Sequence, residues 1–316
     1  MSRAMEISIC VNGEVVNAEL EKNLLALLLE KGYQVPYLCY HPGLPPYGSC
    51  RLCTVEVKEG TERRLVASCT YPVRTSSLEV FTDTEEVLEM RRMIIKLLQA
   101  RTPQVQVVKD LARRYSVELD SRLQKVSEMV DDYEINHKVN HKANHKANHK
   151  ANHKVNHKAN QKAAPANEKT AAEEENCVLC GRCVRACNEA LGKNAISFTR
   201  RGINRKVSPP LEEPPESCIG CGACAHVCPT GAAYVESAEG EKMMHPWGAR
   251  RELLLCPRCG KPHYPRAVAE EVISNISPSE GDSAKEYLYW CEECKRQKVL
   301  ERQQESKIPS PGTIIY

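Results

Sequence analysis

No apolar stretch in this chain of 316 residues approaches eighteen, so nothing in it is long enough to cross a bilayer as a helix. No hydrophobic segment accompanies the opening Met1-Ser2-Arg3-Ala4, so no secretory leader is expected. The glycine-rich phosphate cradles are missing: neither G-x-G-x-x-G nor G-x-x-x-x-G-K-S/T occurs, which removes the usual signals of a nucleotide or flavin site. No pairing of histidine with carboxylate suggests bond-breaking chemistry. Acid is missing from one tract. Asn136 to Lys162 holds seven lysines and no Asp or Glu, and without it the net charge of +3 becomes −4. The basic balance therefore belongs to that tract, and no nucleic-acid partner is expected.

Cysteine is what the chain has in excess, with seventeen. They fall in C-x2-C clusters, which favours metal ligation in a reducing cytoplasm over a disulfide framework. The densest stretch runs from Cys177 to Cys228. It reads CVLCGRCVRAC, a gap of thirty residues, then CIGCGACAHVCP. Each half has the spacing C-x2-C-x2-C-x3-C, the bacterial two-cluster ferredoxin pattern, in which the fourth Cys of each run serves the other cluster. The expected ligand sets are Cys177, Cys180, Cys183 and Cys228 for one 4Fe–4S cluster, and Cys187, Cys218, Cys221 and Cys224 for the second. Gly181, Gly220 and Gly222 would let backbone amides approach the sulfurs. A pair of zinc sites is the competing reading, and the doubled, crossed spacing disfavours it.

Residues 5 to 20 alternate, with Ile7, Ile9 and Val11 on one face, and Asn12-Gly13 signals a hairpin whose return strand starts at Val15-Val16. A short apolar helix is expected from Asn23 to Lys31, stopped by Gly32, and strands at Thr54 to Val57 and Leu78 to Phe81. The loop after the helix carries Cys39, Cys50 and Cys53, and Cys69 follows in LVASCTYP. Strands, a helix and further strands, with cysteines in the loop after the helix, describe a ferredoxin-like β-grasp. The spacing C-x10-C-x2-C-x15-C is not the plant ferredoxin's C-x4-C-x2-C. Nor does it suit a Rieske centre: Cys39-Tyr40-His41 has C-x-H, but Cys53 stands where a second histidine is needed, so His41 is read as a loop residue. Helical periodicity continues through residues 84 to 133, interrupted at Pro103, with a second helix from about Gln104 to Tyr115.

The repeat N-H-K-A/V then places His137, His141, His145, His149, His153 and His157 four apart. With lysines at the same spacing and no apolar face, the tract reads as a disordered linker rather than a metal site, tethering the first domain to the double-cluster domain. Near the end come Cys256 and Cys259 in CPRCG, and Cys291 and Cys294 in CEEC. Two C-x2-C knuckles read as a zinc ribbon, with a rubredoxin-like iron site as the alternative and His263 as a spare ligand. Cys10 alone is left over and reads as a buried or half-buried strand residue.

The wording LCYHPGLPPYGSCRLCTVEV, with ISFTRRGINRKVSPPLEEPPESCIGCGACAHVCPTGA, resembles two kinds of subunit. One is the amino-terminal part of the large iron–sulfur subunit of complex I. The other is the small 2Fe–2S/4Fe–4S subunit of NAD-linked hydrogenases and formate dehydrogenases. The resemblance covers residues 5 to 83 and 173 to 236. It implies a 2Fe–2S cluster on Cys39, Cys50, Cys53 and Cys69. It also implies a partner flavin subunit that reacts with NAD(P)H, and a hydrogenase, formate dehydrogenase or ferredoxin-type partner. The family's further cluster on one histidine and three cysteines has no ligands in RMIIKLLQARTPQVQVVKDLARRY, so that cluster is expected to be absent. A succinate dehydrogenase type of iron–sulfur subunit would have the plant-like spacing instead.

The expected architecture is α+β. It comprises a β-grasp 2Fe–2S domain (1–83), a helical segment (84–135), the linker (136–172), a two-cluster 4Fe–4S ferredoxin domain (173–240) and a small zinc-ribbon-like domain (241–316). The expected cofactors are one 2Fe–2S cluster, two 4Fe–4S clusters and one zinc. The expected role is that of a non-catalytic electron-transfer subunit of an oxidoreductase complex. A cluster-bearing redox sensor is the alternative.

Overall fold

The computed structural model describes residues 5–119, 123, 176–238, 240–275 and 288–305. The repeat tract from Asn136 and the six histidines in it lie outside these.

The amino-terminal part is a mixed sheet with a helix laid on it. Strands β1 (Glu6–Val11) and β2 (Glu14–Glu19) form a hairpin through Asn12-Gly13, both at positive φ. The chain then enters α1 (Leu24–Glu30), capped by Asn23, whose side chain accepts from the Ala26 amide. Strands β3 (Thr54–Glu59), β4 (Glu62–Ala67) and β5 (Leu78–Phe81) complete a five-stranded sheet in the order β2-β1-β5-β3-β4. β5 runs parallel to β1 and antiparallel to β3. The inward residues Ile9, Val11, Val55, Val57 and Val80 pack against Leu24, Leu25, Leu27 and Leu28 of α1. β4 is mostly exposed, with charged Glu62, Arg63 and Arg64 breaking its apolar pattern, which is why the sequence signals it weakly.

Two helices follow, α2 (Glu85–Arg101) and α3 (Gln106–Arg114), separated at Pro103 as expected. They pack against both cysteine-rich stretches. Ile95, Val105, Val108 and Ala112 share a core with Leu38 and Leu52 of the cysteine loop and with Val178 from the next cysteine-rich segment.

That segment contains α4 (Arg182–Arg185), continued by a π-helical turn, a small hairpin of β6 (Ser197–Thr199) and β7 (Lys206–Ser208), and α5 (Ala223–His226). Strands β8 (Tyr234–Ala238), β9 (Glu241–His245), β10 (Ala249–Leu255) and β11 (Pro262–Pro265) then form one antiparallel sheet. A boundary at residue 240 falls in the β8–β9 turn, inside that sheet, so the last two regions share a sheet rather than meeting at a linker. Helices α6 (Arg266–Asn275) and α7 (Glu292–Glu305) close the described chain.

The tether expectation also needs correction. Leu44, from the loop between Cys39 and Cys50, is buried with Ala186 and Val227 between the two cysteine runs of the later segment. Arg185 donates to the carbonyls of Pro45 and Cys39. The amino-terminal and double-run regions pack directly, because an apolar loop tip finds a ready apolar slot.

Leu44→Ala should remove that apolar plug at a cost of about 2–5 kcal/mol to the inter-region contact. A lower unfolding midpoint and a larger radius of gyration in solution scattering are expected, with the amino-terminal region still folded. An unchanged radius and midpoint would contradict the packed arrangement.

Candidate metal centres

Among the described residues one group of four cysteines is close enough to hold a metal ion, three further sets are linked by thiol contacts or by their charges, and none of the seventeen forms a disulfide. The first group is built by the ends of the amino-terminal elements. Cys39 lies in the loop after α1, Cys50 and Cys53 immediately precede β3, and Cys69 sits in a 3-10 turn after β4. Cys39, Cys53 and Cys69 are fully buried. Asn23 does two jobs here, capping α1 through Oδ1 and donating Nδ2 to the Cys69 carbonyl. Ser68 Oγ donates to the Cys53 carbonyl at 2.7 Å. The four thiols hydrogen-bond in a chain. Contacts from Cys50 and Cys69 hold Cys39 far below the ordinary thiol range, and a contact from Cys69 lowers Cys53 to about 7. Contacts to Cys39, with burial, push Cys50 and Cys69 up. Shifts of opposite direction follow from packing four thiols in hydrogen-bond contact in low dielectric.

Arg91 braces this loop, and sequence reading missed it. It sits on the buried face of α2 between Val87 and Ile95 and is fully buried. Its guanidinium donates to the carbonyls of Leu52 and Thr54, on either side of Cys53, at 3.3 and 2.9 Å. It also reaches Tyr115 Oη at 3.4 Å and pairs with Asp83 at 3.2 Å. The available signal was an arginine at i, i+4, i+8 spacing with two apolar residues.

His41 lies beside this group without joining it. Its Nδ1 accepts from the Gly43 amide at 3.1 Å. Burial, then the charges of Arg182, His226 and Arg185, lower its pKa.

The two runs of the later segment interleave. Cys180 feels the charges of Cys177 and Cys228, and Cys183 those of Cys177, Cys180, Cys228 and, from the second run, Cys224. Cys218 and Cys224 instead feel Cys221 and Cys187. Burial is the first cause of every shift: it raises Cys180 to about 11 and Cys224 to about 12, raises Cys183 well above its ordinary value, and raises Cys218. Cys187, Cys218, Cys221 and Cys224 line a pocket of about 30 Å³ with Ile196, Met244 and Trp247. Gly181 and Gly220 sit at φ +76° and +74°. A Cβ on Gly220 would meet Arg251 at 3.0 Å and Pro265 at 3.1 Å, so β10 and β11 press directly on the second run. Arg251 secures that contact by donating to the carbonyls of Pro215, Glu216 and Cys218.

In the fourth group, Cys256 and Cys259 occupy the β10–β11 turn, while Cys291 precedes α7 and Cys294 lies in its first turn. The four Sγ atoms all lie within 4.8 Å of one another. The second pair is thus carried by a helix start rather than by a second β-turn, which departs from a simple ribbon. Burial raises the Cys256 thiol, but the amides of Cys291, Cys259 and Arg258 outweigh it and bring the thiol down to about 6. His263 stays outside this group, its Nε2 3.1 Å from the Tyr289 carbonyl. Cys10 is half-buried on β1, opposite Val15.

Unbridged thiols in fours, most of them buried or half-buried and only Cys221 and Cys259 exposed, suit metals that bind thiolate, since a metal cation supplies the charge that lets all four ionise. Residues 4–85 match the model of a 2Fe-2S iron-sulfur cluster binding domain, and residues 176–232 that of a 4Fe-4S dicluster domain. The chain carries both domains.

The relatives agree. An NADH-quinone oxidoreductase subunit of Rhizobium meliloti is 27% identical over 254 residues, covering 80% of this chain and 27% of that protein. The alpha subunit of NADPH-Fe(3+) oxidoreductase of Geobacter sulfurreducens is 24% identical over 258 residues, covering 80% and 26%. The gamma subunit of the NAD-reducing hydrogenase HoxS of Cupriavidus necator is 26% identical over 232 residues, covering 72% and 86%. The chain therefore resembles iron–sulfur electron-transfer subunits of complex I and NAD-linked hydrogenases. It spans about a quarter of the length of the first two relatives and most of the third. Among the described residues, no helix is long and apolar enough to cross a membrane.

Arg91→Met should strand two buried carbonyls beside Cys53 and cost about 3–5 kcal/mol. Denaturant unfolding should show the loss, and iron should leave the first group more readily than the others. Wild-type stability in this variant would contradict the bracing role.

Proposed function

We propose that this chain is a non-catalytic conductor in an oxidoreductase complex. It would carry one 2Fe–2S cluster on Cys39, Cys50, Cys53 and Cys69. Two 4Fe–4S clusters would sit on the crossed sets Cys177, Cys180, Cys183, Cys228 and Cys187, Cys218, Cys221, Cys224. The observation that carries the reading is the crossed proximity of Cys228 to the first run and of Cys187 to the second. Bound clusters of these types pass single electrons, at potentials set by cluster type, burial and hydrogen bonds to sulfur. The residues of this chain would supply the thiolates, exclude water and hold the centres in fixed relation. The 1–83 region would be a β-grasp, and 173–240 a bacterial-type ferredoxin.

One proposed partner is a flavin subunit that reacts with NAD(P)H, and the other a hydrogenase, formate dehydrogenase or ferredoxin-type protein. Relatives named as subunits of NAD-reducing hydrogenase and NADH-quinone oxidoreductase support such partners. Cys256, Cys259, Cys291 and Cys294 would hold one structural zinc, tying the β10–β11 turn to the start of α7.

Anaerobically reconstituted protein should contain about ten irons and one zinc per chain. Cys228→Ser should damage the cluster of the Cys177 run, and Cys187→Ser the other, as read by electron paramagnetic resonance. Eleven irons and no zinc would move the last site to a rubredoxin-like one. About eight irons without a 2Fe–2S signal would sink the first assignment.

The isolated chain should not reduce dyes with NADH, because it shows no nucleotide or flavin motif. NADH-dependent dye reduction by the pure chain would refute the conductor reading.

A further inference from the structure

Two guanidiniums are buried where the Cys39 loop meets the first cysteine run. Arg182 and Arg185, on either side of Cys183 and Val184, are 9% and 3% exposed. Arg185 gives its Nη groups to the carbonyls of Pro45 and Cys39 and lies over the Tyr47 ring at 4.8 Å. Arg182 lies over the Tyr37 ring at 5.8 Å. Carbonyls and rings are neutral partners. Neither guanidinium pairs with a carboxylate among the described residues, and the Nε of each is buried without a hydrogen-bond partner.

Arg91 shows what a completed buried arginine looks like in this protein: its Nε reaches the Leu52 carbonyl and its charge meets Asp83. A buried cation without a counter-ion is strongly unfavourable, as is a buried N–H without an acceptor. The anionic groups available at this join are sulfurs. Arg182 stands in the chain between Cys180 and Cys183, and Arg185 holds the carbonyl of Cys39.

We propose that Arg182 and Arg185 are the counter-charges of the two centres that meet at this join. Arg182 serves the centre of Cys177, Cys180, Cys183 and Cys228. Arg185, reaching across from one region to the other, serves the centre of Cys39, Cys50, Cys53 and Cys69. The inference rests on the ligand sets proposed above. Each centre gains one negative charge on reduction, so a fixed buried cation beside it favours the reduced form, and an Nε–H donated to sulfur acts in the same direction. Arg185 thereby makes the potential of the amino-terminal centre depend on the seating of the other region. Both are positioning and tuning residues rather than ligands.

The test uses the full-length, reconstituted chain in redox titrations followed by electron paramagnetic resonance. Arg185→Gln should shift the reduction equilibrium of the 2Fe–2S centre at least tenfold toward the oxidised form, about 59 mV for a one-electron couple. Arg185→Lys keeps the charge and should show less than half of that shift. A full 2Fe–2S signal at wild-type potential in Arg185→Gln overturns the proposal. So does a shift in Arg185→Lys as large as in Arg185→Gln, which would assign the effect to packing. If Arg185→Gln fails to retain its iron, Arg182→Gln is read on the 4Fe–4S signal of the Cys177 set. A tenfold shift there supports the proposal, and an unchanged potential overturns it. Wild-type protein without any 2Fe–2S signal would instead overturn the ligand assignment beneath it.

Discussion

Gathering sulfur in fours, most of it buried or half-buried, is the constraint on which the rest of the structure depends. A thiolate in low dielectric is costly, and several together repel one another. The surroundings of the sulfurs differ from group to group. The amino-terminal group distributes protons unevenly along a chain of thiol contacts, with Cys39 low and Cys50 and Cys69 high. The double-run region surrounds its sulfurs with Met244, Trp247, Ile196 and Ala233, and burial raises its thiols. The last group draws amides toward Cys256 instead. In each case the unmet electrostatic demand is for positive charge, which is what a thiolate-binding metal brings.

Rigidity around these groups comes from side chains that fasten backbone rather than sulfur. Asn23 joins the start of α1 to Cys69, Arg91 joins α2 to both sides of Cys53, and Arg251 joins β10 to the loop at Cys218. All three are polar groups spent on carbonyls of residues at or next to a cysteine. A carbonyl beside a buried sulfur has lost water as a partner, so a donor from another element both satisfies it and sets the loop's position. The same logic reaches between regions at Arg185 and Leu44. One is a hydrogen-bonded clasp and the other an apolar plug, and together they hold the first cysteine loop against the double run.

Much of this was legible in one dimension because ligand spacing is local. A C-x2-C-x2-C loop needs its cysteines close in sequence, so the pattern survives without any knowledge of the fold. The hairpin at Asn12-Gly13, the helix stopping at Gly32 and the break at Pro103 are likewise written in residues with narrow backbone preferences. β4 was hidden because its exposed face is charged. The shared sheet across residue 240 was hidden because strand pairing between β8 and β9 carries no composition mark.

By itself, then, the sequence determined the local cysteine pairs and runs, the kind of centre they suit, and the alternation of strand and helix around them, since each depends on neighbours a few residues apart. Only the tertiary structure decided how the groups are supported and joined. The pairing of α2 with the first loop, the start of α7 as the second half of the last site, and the burial of Arg91, Arg182 and Arg185 are contacts between residues far apart in the chain. An arginine in a sequence reads as surface charge. It takes the packed fold to show that three of them are enclosed, and that two of those three have a buried Nε without a hydrogen-bond partner and no carboxylate partner among the described residues.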